Sequence, residues 1–154
     1  MTRTLKEIEA LATVDPEFAA ALEQAGGQLP DITQFTPEQI RYFAKQRRRQ
    51  LAGVDSSILA HVYTEEIVIP ARDQYPIPAR VYRPASSATV KSPLLVIFHG
   101  GGHTLGDLDD EDLACRNYVK ELGFVVVNVD YRLAPEHVFP TCVYDAWDAV
   151  QWVR

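Results

Sequence analysis

The chain has 154 residues, 47% of them hydrophobic and 23% charged, with a formal net charge of -6. That length and apolar content suffice for one packed core, and the acidic balance argues against nucleic acid or an anionic membrane surface as the main partner, since both select clustered Lys and Arg. No apolar run approaches the roughly 20 residues of a membrane span, and charged residues stand where a secretory signal has its apolar stretch, so a cytoplasmic location is expected.

Residues 1–61 read as a helical segment. Asp15-Pro16-Glu17 is a helix start and Gly26-Gly27 a stop. Thr36-Pro37-Glu38-Gln39 starts a second helix with a cap hydroxyl, proline at the first helical position and Gln39 three residues after the cap, the pattern of a capping box. Ile40, Phe43 and Ala44 give that helix a short apolar stripe. The run Arg47-Arg48-Arg49 lies near its C-terminal end, where cations suit the helix dipole, and reads as a solvated face.

From Val62 the period shortens to that of strands. Glu66-Ile67-Val68-Ile69 and Ile77-Pro78-Ala79-Arg80-Val81-Tyr82, separated by Asp73-Gln74-Tyr75-Pro76, predict an antiparallel hairpin. After the linker-like 84–88 stretch, Leu94-Leu95-Val96-Ile97-Phe98 is apolar on both faces, as in a strand buried within a parallel sheet. A helix is expected from about Leu108 to Leu122, stopping at Gly123, with the acidic run Asp107 to Asp112 forming its first turn. Phe124 to Val129 reads as a second doubly buried strand, completing a β-α-β unit. Thr141 opens a last helix through Trp152. Cys115 and Cys142 fall in the predicted helices without metal-type spacing and read as reduced, partly buried thiols.

The sharpest feature is His99-Gly100-Gly101-Gly102, directly after the strand that ends at Phe98. Consecutive glycines let backbone N–H groups approach a ligand with no Cβ in the way. Acyl transfer needs such donors, because each one aimed at a developing oxyanion is worth about 3 kcal/mol. The next strand is followed by Asp130-Tyr131-Arg132-Leu133-Ala134-Pro135-Glu136-His137. With Gly106-Asp107, these motifs resemble the hormone-sensitive-lipase-like family of α/β-hydrolase-fold serine esterases and lipases, over roughly Tyr63 to Arg154.

That resemblance implies an α/β fold: a helical cap-like segment over 1–61, then the N-terminal portion of an α/β-hydrolase core over 62–154, with the hairpin, the β-α-β unit and an incomplete sheet. It implies oxyanion-hole amides at Gly101 and Gly102, a loop-shaping role for His99 and Gly100 with His99 not the catalytic base, and structural roles for Asp107, Asp130, Tyr131 and Arg132, through an Asp–Arg pair and the tyrosine hydroxyl. It also suggests a cis peptide bond at Ala134-Pro135 or Phe139-Pro140. His103 stands where the family usually has an aromatic or aliphatic residue; it reads as an exposed loop histidine, with a place in the acyl pocket as the alternative.

No cofactor or metal is expected. His99 and His103 have i, i+4 spacing, but the glycines between them oppose the helix that would pair them on zinc, and the acidic run lacks the glycine and glutamate of a calcium loop. No G-x-S-x-G is present, and Ser56, Ser57, Ser86, Ser87 and Ser92 lack its flanking glycines. The expectation is therefore a carboxylic ester hydrolase by family, whose nucleophile, acid and histidine base lie beyond Arg154, so that the 154-residue chain alone is inactive and cut before its nucleophile elbow. The alternative is a non-catalytic binding or interaction module of the same fold. A small-molecule ester is the expected partner of a full-length relative, with self-association possible through an exposed strand edge.

Overall fold

The computed structural model describes residues 4, 6–7, 11, 14–24, 26–27, 31–51, 61–85 and 92–154. The chain divides into two compact units, Met1–Phe35 and Thr36–Arg154. In the first, helix α1 (Pro16–Gln24) starts where Asp15 accepts hydrogen bonds from the Glu17 and Phe18 amides at 2.9 and 3.2 Å. It ends where the Gly26 and Gly27 amides return to the Glu23 and Leu22 carbonyls, both glycines at positive φ. A 3-10 turn, Ile32–Gln34, is capped by Asp31.

The second unit begins with α2 (Pro37–Leu51), which carries the expected capping box: the Thr36 amide donates to Gln39 Oε1 at 2.9 Å and the Gln39 amide to Thr36 Oγ1 at 3.3 Å. The apolar stripe is only partly covered, with Ile40 half-buried. Phe43 is 51% exposed, Ala44 is exposed, and none of the described side chains of α2 is buried. Nor is Arg48 solvated as the Arg47-Arg48-Arg49 run suggests; it pairs with Asp107 at 2.7 Å and with Asp110. The Arg49 side chain lies outside the described residues, as do Ser56, Ser57 and residues 86–91.

Strands β1 (Val62–Pro70) and β2 (Pro76–Pro84) form the predicted antiparallel hairpin, in register from Val62 opposite Pro84 to Pro70 opposite Pro76. Then come β3 (Leu94–Phe98), α3 (Asp112–Leu122), β4 (Val125–Val129) and α4 (Thr141–Trp152). The sheet order is β1-β2-β4-β3, with β2 antiparallel and β3 parallel to β4. Alternation along β4 divides the core: Val127 and Val129 pack with Ile69, Ile77, Ala79 and, from α4, Ala149, while Val126 packs on the other face with Val62, Tyr82 and, from α3, Cys115 and Val119.

Two expectations change. β3 is not doubly buried, since Leu94 is 47% exposed and the rest of the strand half-buried, while its place at the edge, with β4 as its sole neighbour in the described sheet, is the exposed strand edge expected. The helix expected from Leu108 starts at Asp112, because Asp107 to Glu111 fold as turns in which acidic side chains meet arginines instead of the helix dipole. Arg80 bridges Glu66, Asp109 and Asp112, and Asp112 also accepts from the Tyr82 hydroxyl at 2.9 Å and Arg116 at 2.7 Å. Burial alone would raise the Asp112 carboxyl, but the bonds from Arg116 and Tyr82 hold it below the usual aspartate value. Burial, aided by the Asp112 charge, pushes the Cys115 thiol up to about 12. Gly123 ends α3 in the left-handed conformation, as predicted. Within β4, buried Asn128 donates through Nδ2 to the Leu108 carbonyl at 2.8 Å, tying the strand to the loop ahead of α3.

Candidate active site

β3 delivers the chain to His99, only 3% exposed, and a loop through Gly100 to Gly106 turns it back. Two glycines in that loop are required by space and by φ. A Cβ on Gly101 (φ 121°) would sit 2.1 Å from the Leu105 carbonyl oxygen, and one on Gly106 (φ 110°) would sit 2.0 Å from His99 Nδ1. Gly102 and His103 are also left-handed, at φ 61° and 60°.

Hydrogen bonds fix two successive peptide planes. The Gly100 carbonyl faces His99 Nδ1 at 2.8 Å, and the Gly101 carbonyl accepts from the Thr104 and Leu105 amides at 3.1 and 2.9 Å. In a trans peptide the N–H points opposite to the C=O, so tying those carbonyls inward turns the Gly101 and Gly102 amides the other way. Neither amide donates to any group among the described residues. Beside the loop lies an apolar cavity of about 320 Å³ lined by Phe98, His99, His103, Tyr131, Cys142, Val143 and Ala146. A larger cleft, about 850 Å³, lies between α2, the hairpin and α3; ion-paired Arg48, Arg80, Asp110 and Asp112 line it beside Ala44, Thr64 and Leu113, and it touches none of the glycines.

Residues that follow β4 support the loop from beneath. The Tyr131 ring stacks on His99, centroids 4.5 Å apart, and its hydroxyl donates to the His99 carbonyl. Asp130, held by its amide to the Pro78 carbonyl, places Oδ1 3.6 Å from His99 Nε2, an ion-pair separation beyond hydrogen-bond range. Burial favours the neutral His99 ring, but the Asp130 carboxylate and the Gly100 carbonyl outweigh it and hold the imidazole above the ordinary histidine value. The carbonyl contact assigns the Nδ1 proton, which leaves Nε2 to face the carboxylate when the ring is charged.

Arg132 serves another junction than the loop. Its guanidinium and amide engage Asp145 on α4, with Nη2 2.6 Å from Oδ1, and Nη1 reaches Asp73 in the hairpin turn at 2.8 Å. The aspartate that pairs near the glycines is Asp107, through Arg48. His103 is exposed, and its ring meets Tyr131 edge-on with centroids 6.2 Å apart. Both Ala134-Pro135 and Phe139-Pro140 are cis. Among the described residues no group of three or more His, Cys, Asp or Glu could hold a metal ion.

Sequence reasoning passed over Arg41 and Glu136. Arg41 lies on α2 and donates to the Thr104 carbonyl at 2.7 Å, to the Ala134 carbonyl, and to both Glu136 oxygens at 2.8 and 3.0 Å. Glu136 stands inside the second motif and was open to notice; Arg41 pairs across 95 residues and leaves no local signal.

Comparison with known proteins finds esterases of the same fold. A family model described as alpha/beta hydrolase fold matches residues 95–154. The carboxylic ester hydrolase LipN of Mycobacterium tuberculosis is 47% identical over 94 residues, covering 61% of this chain and 24% of that protein. The solved esterase of Pyrobaculum calidifontis matches at 36% identity and TM-score 0.69, over 92% of this chain and 42% of that one. A thermostable esterase from Pseudomonas putida matches at 33% identity and TM-score 0.72, over 92% of this chain and 44% of that one. The chain therefore spans less than half the length of these relatives.

Proposed function

Since this chain belongs, over the part of the fold that it spans, to the hormone-sensitive-lipase-like family of α/β-hydrolase-fold esterases, we propose that it supplies the oxyanion-binding half of a serine carboxylic ester hydrolase. The Gly101 and Gly102 amides receive the charge that develops on the carbonyl oxygen of a small-molecule ester. A serine attacks that carbonyl, a histidine takes the serine proton and returns it to the leaving alcohol, and water then releases the acid from the acyl-enzyme. His99, Gly100, Asp107, Asp130 and Tyr131 shape and hold the loop, while Arg132 secures the strand end that bears Tyr131. Residues 1–61 act as a cap-like segment.

What carries the reading is the pair of tied carbonyls at Gly100 and Gly101, which leaves two adjacent amides facing away from the protein's own acceptors. Nothing within the 154 residues matches G-x-S-x-G, so this polypeptide by itself is expected to turn over no p-nitrophenyl ester and to take no fluorophosphonate label. Labelling of any of its serines would overturn that expectation. In a polypeptide that also carries the serine nucleophile, Gly101→Ala is expected to lower kcat by about 10²–10³; unchanged turnover would remove the oxyanion role.

The polypeptide's self-association through β3 belongs to the same proposal. Leu94 to Phe98 is an uncharged edge, lacking the lysines, prolines or bulges that blunt natural edges. Concentration-dependent elution in size-exclusion chromatography is expected, and a monomer at all concentrations would overturn it. A cytoplasmic location is proposed as well, supported by the free, buried thiols of Cys115 and Cys142.

A further inference from the structure

Among the described residues, helix α2 sends long-range hydrogen bonds to the rest of its unit from Arg41 and Arg48. Its described side chains include none that is buried, yet Arg41 and Arg48, seven residues apart and so on one stripe two turns apart, hold the chain at Thr104 within the glycine loop and at Asp107 and Asp110 just after it. Arg48 holds Asp107 and Asp110 on the outgoing side. Arg41 is closer to the donors. Its Nε bonds the carbonyl of Thr104, the residue whose own amide bonds the Gly101 carbonyl. Its Nη2 bonds the carbonyl of Ala134, whose amide in turn bonds the His103 carbonyl at 2.8 Å. Glu136 takes the guanidinium's other edge and fixes its plane.

We propose that Arg41 is a positioning residue for the Gly101 and Gly102 donors, through which α2 sets the orientation of the two peptide planes. The inference rests on the oxyanion reading above and extends it to a residue some 60 positions upstream of the loop. The chemistry favours arginine. Three acceptors lie around one planar fork, two of them backbone carbonyls of separate segments, and a lysine ammonium cannot present that array at once. A helix anchor of purely structural importance would leave the loop's internal bonds as they are.

The test is amide hydrogen exchange in the intact chain, comparing Arg41→Met and Arg41→Lys with the unsubstituted protein. Both variants are expected to speed exchange at Thr104, Leu105 and Ala134 by about tenfold or more, the loss of charge-assisted bonds to two carbonyls, while Val126 and Val127 in β4 stay protected. Unchanged exchange at Thr104 and Leu105 overturns the positioning role. If Arg41→Met also loses protection in β4, Glu136→Gln decides: it frees the guanidinium edge alone, and selective loosening of Thr104 and Leu105 supports the proposal while unaltered exchange overturns it. In a polypeptide with the serine nucleophile, Arg41→Met is expected to lower kcat about tenfold or more with KM within about twofold, and Arg41→Lys not to restore it. A loosened loop with unchanged kcat would sink the oxyanion reading instead, and the two failures are thereby separate.

Discussion

The Tyr131 hydroxyl donates to the His99 carbonyl at 2.8 Å across 32 positions of sequence, while the two rings lie stacked with planes 13° apart. One side chain thus fixes both the backbone and the imidazole of the residue that opens the glycine loop. Tyr131→Phe keeps the stack and leaves a buried carbonyl without its donor, a change expected to cost about 1–3 kcal/mol. Urea unfolding of the variant measures it, and a midpoint equal to that of the parent would show that the hydroxyl contributes nothing.

His99 gives the loop a pH dependence of known sign. Its folded-state pKa lies above the ordinary value of 6.5, so the stabilisation it supplies is complete below that pH and is lost as pH rises through the folded value. Stability is therefore expected to fall as pH rises from the ordinary histidine value through the raised folded one, and His99→Asn should flatten that portion of the profile. NMR titration of the ring reports the pKa directly; a midpoint below that of an exposed histidine contradicts the expectation.

The glycines should not be equivalent. Gly101→Ala and Gly106→Ala force a Cβ to within about 2 Å of backbone or imidazole atoms, whereas a Cβ on Gly102 meets nothing within 4 Å and carries only the strain of its left-handed φ. Gly102→Ala is expected to cost about 1–2 kcal/mol, with the other two clearly above it. Comparable midpoints for all three in thermal unfolding would refute this ranking.

At the Arg132–Asp145 junction the carboxylate is fully buried and the guanidinium side chain 9% exposed. Removing one partner strands the other. Arg132→Met is expected to destabilise the chain by about 3–5 kcal/mol, leaving Asp145 buried without its cation. Asp73→Asn, at the exposed end of the same guanidinium, should cost clearly less, because solvent screens that pair. Denaturant unfolding of the two variants tests the contrast, and equal losses would mean that burial does not set the value of these pairs.

Much of the site was legible because its signals are local. The glycines at 100–102 follow directly on a strand, the Thr36 capping box and the Gly123 stop each lie within a few residues, and the hairpin declares itself by alternation around 73–76. Pairings formed by the tertiary fold left no such trace. Arg41 draws no reading, Arg48 reads as part of a solvated run, and Arg132 reads as structural without Asp145 as its partner, since their carboxylates and carbonyls lie 13 to 95 positions away and no periodicity links them. The edge position of β3 agrees with the exposed strand edge expected of this chain; its run apolar on both faces records what the strand is suited to contact, and in the described sheet only β4 lies beside it.

Asn128 bears on a question the valines of β4 cannot answer. A strand reading Val-Val-Val-Asn-Val offers nearly the same apolar surface after a slip of one residue, because the pleat merely exchanges one valine for another. The asparagine breaks that degeneracy. In the observed alignment its amide reaches the Leu108 carbonyl; moved by one position, it would turn toward Ile69, Ile77 and Ala149, where an unpaired amide is costly. A single polar residue in the middle of the sheet thus serves as its alignment mark, and because β3 follows β4 in register, it also determines where along the sheet His99 emerges.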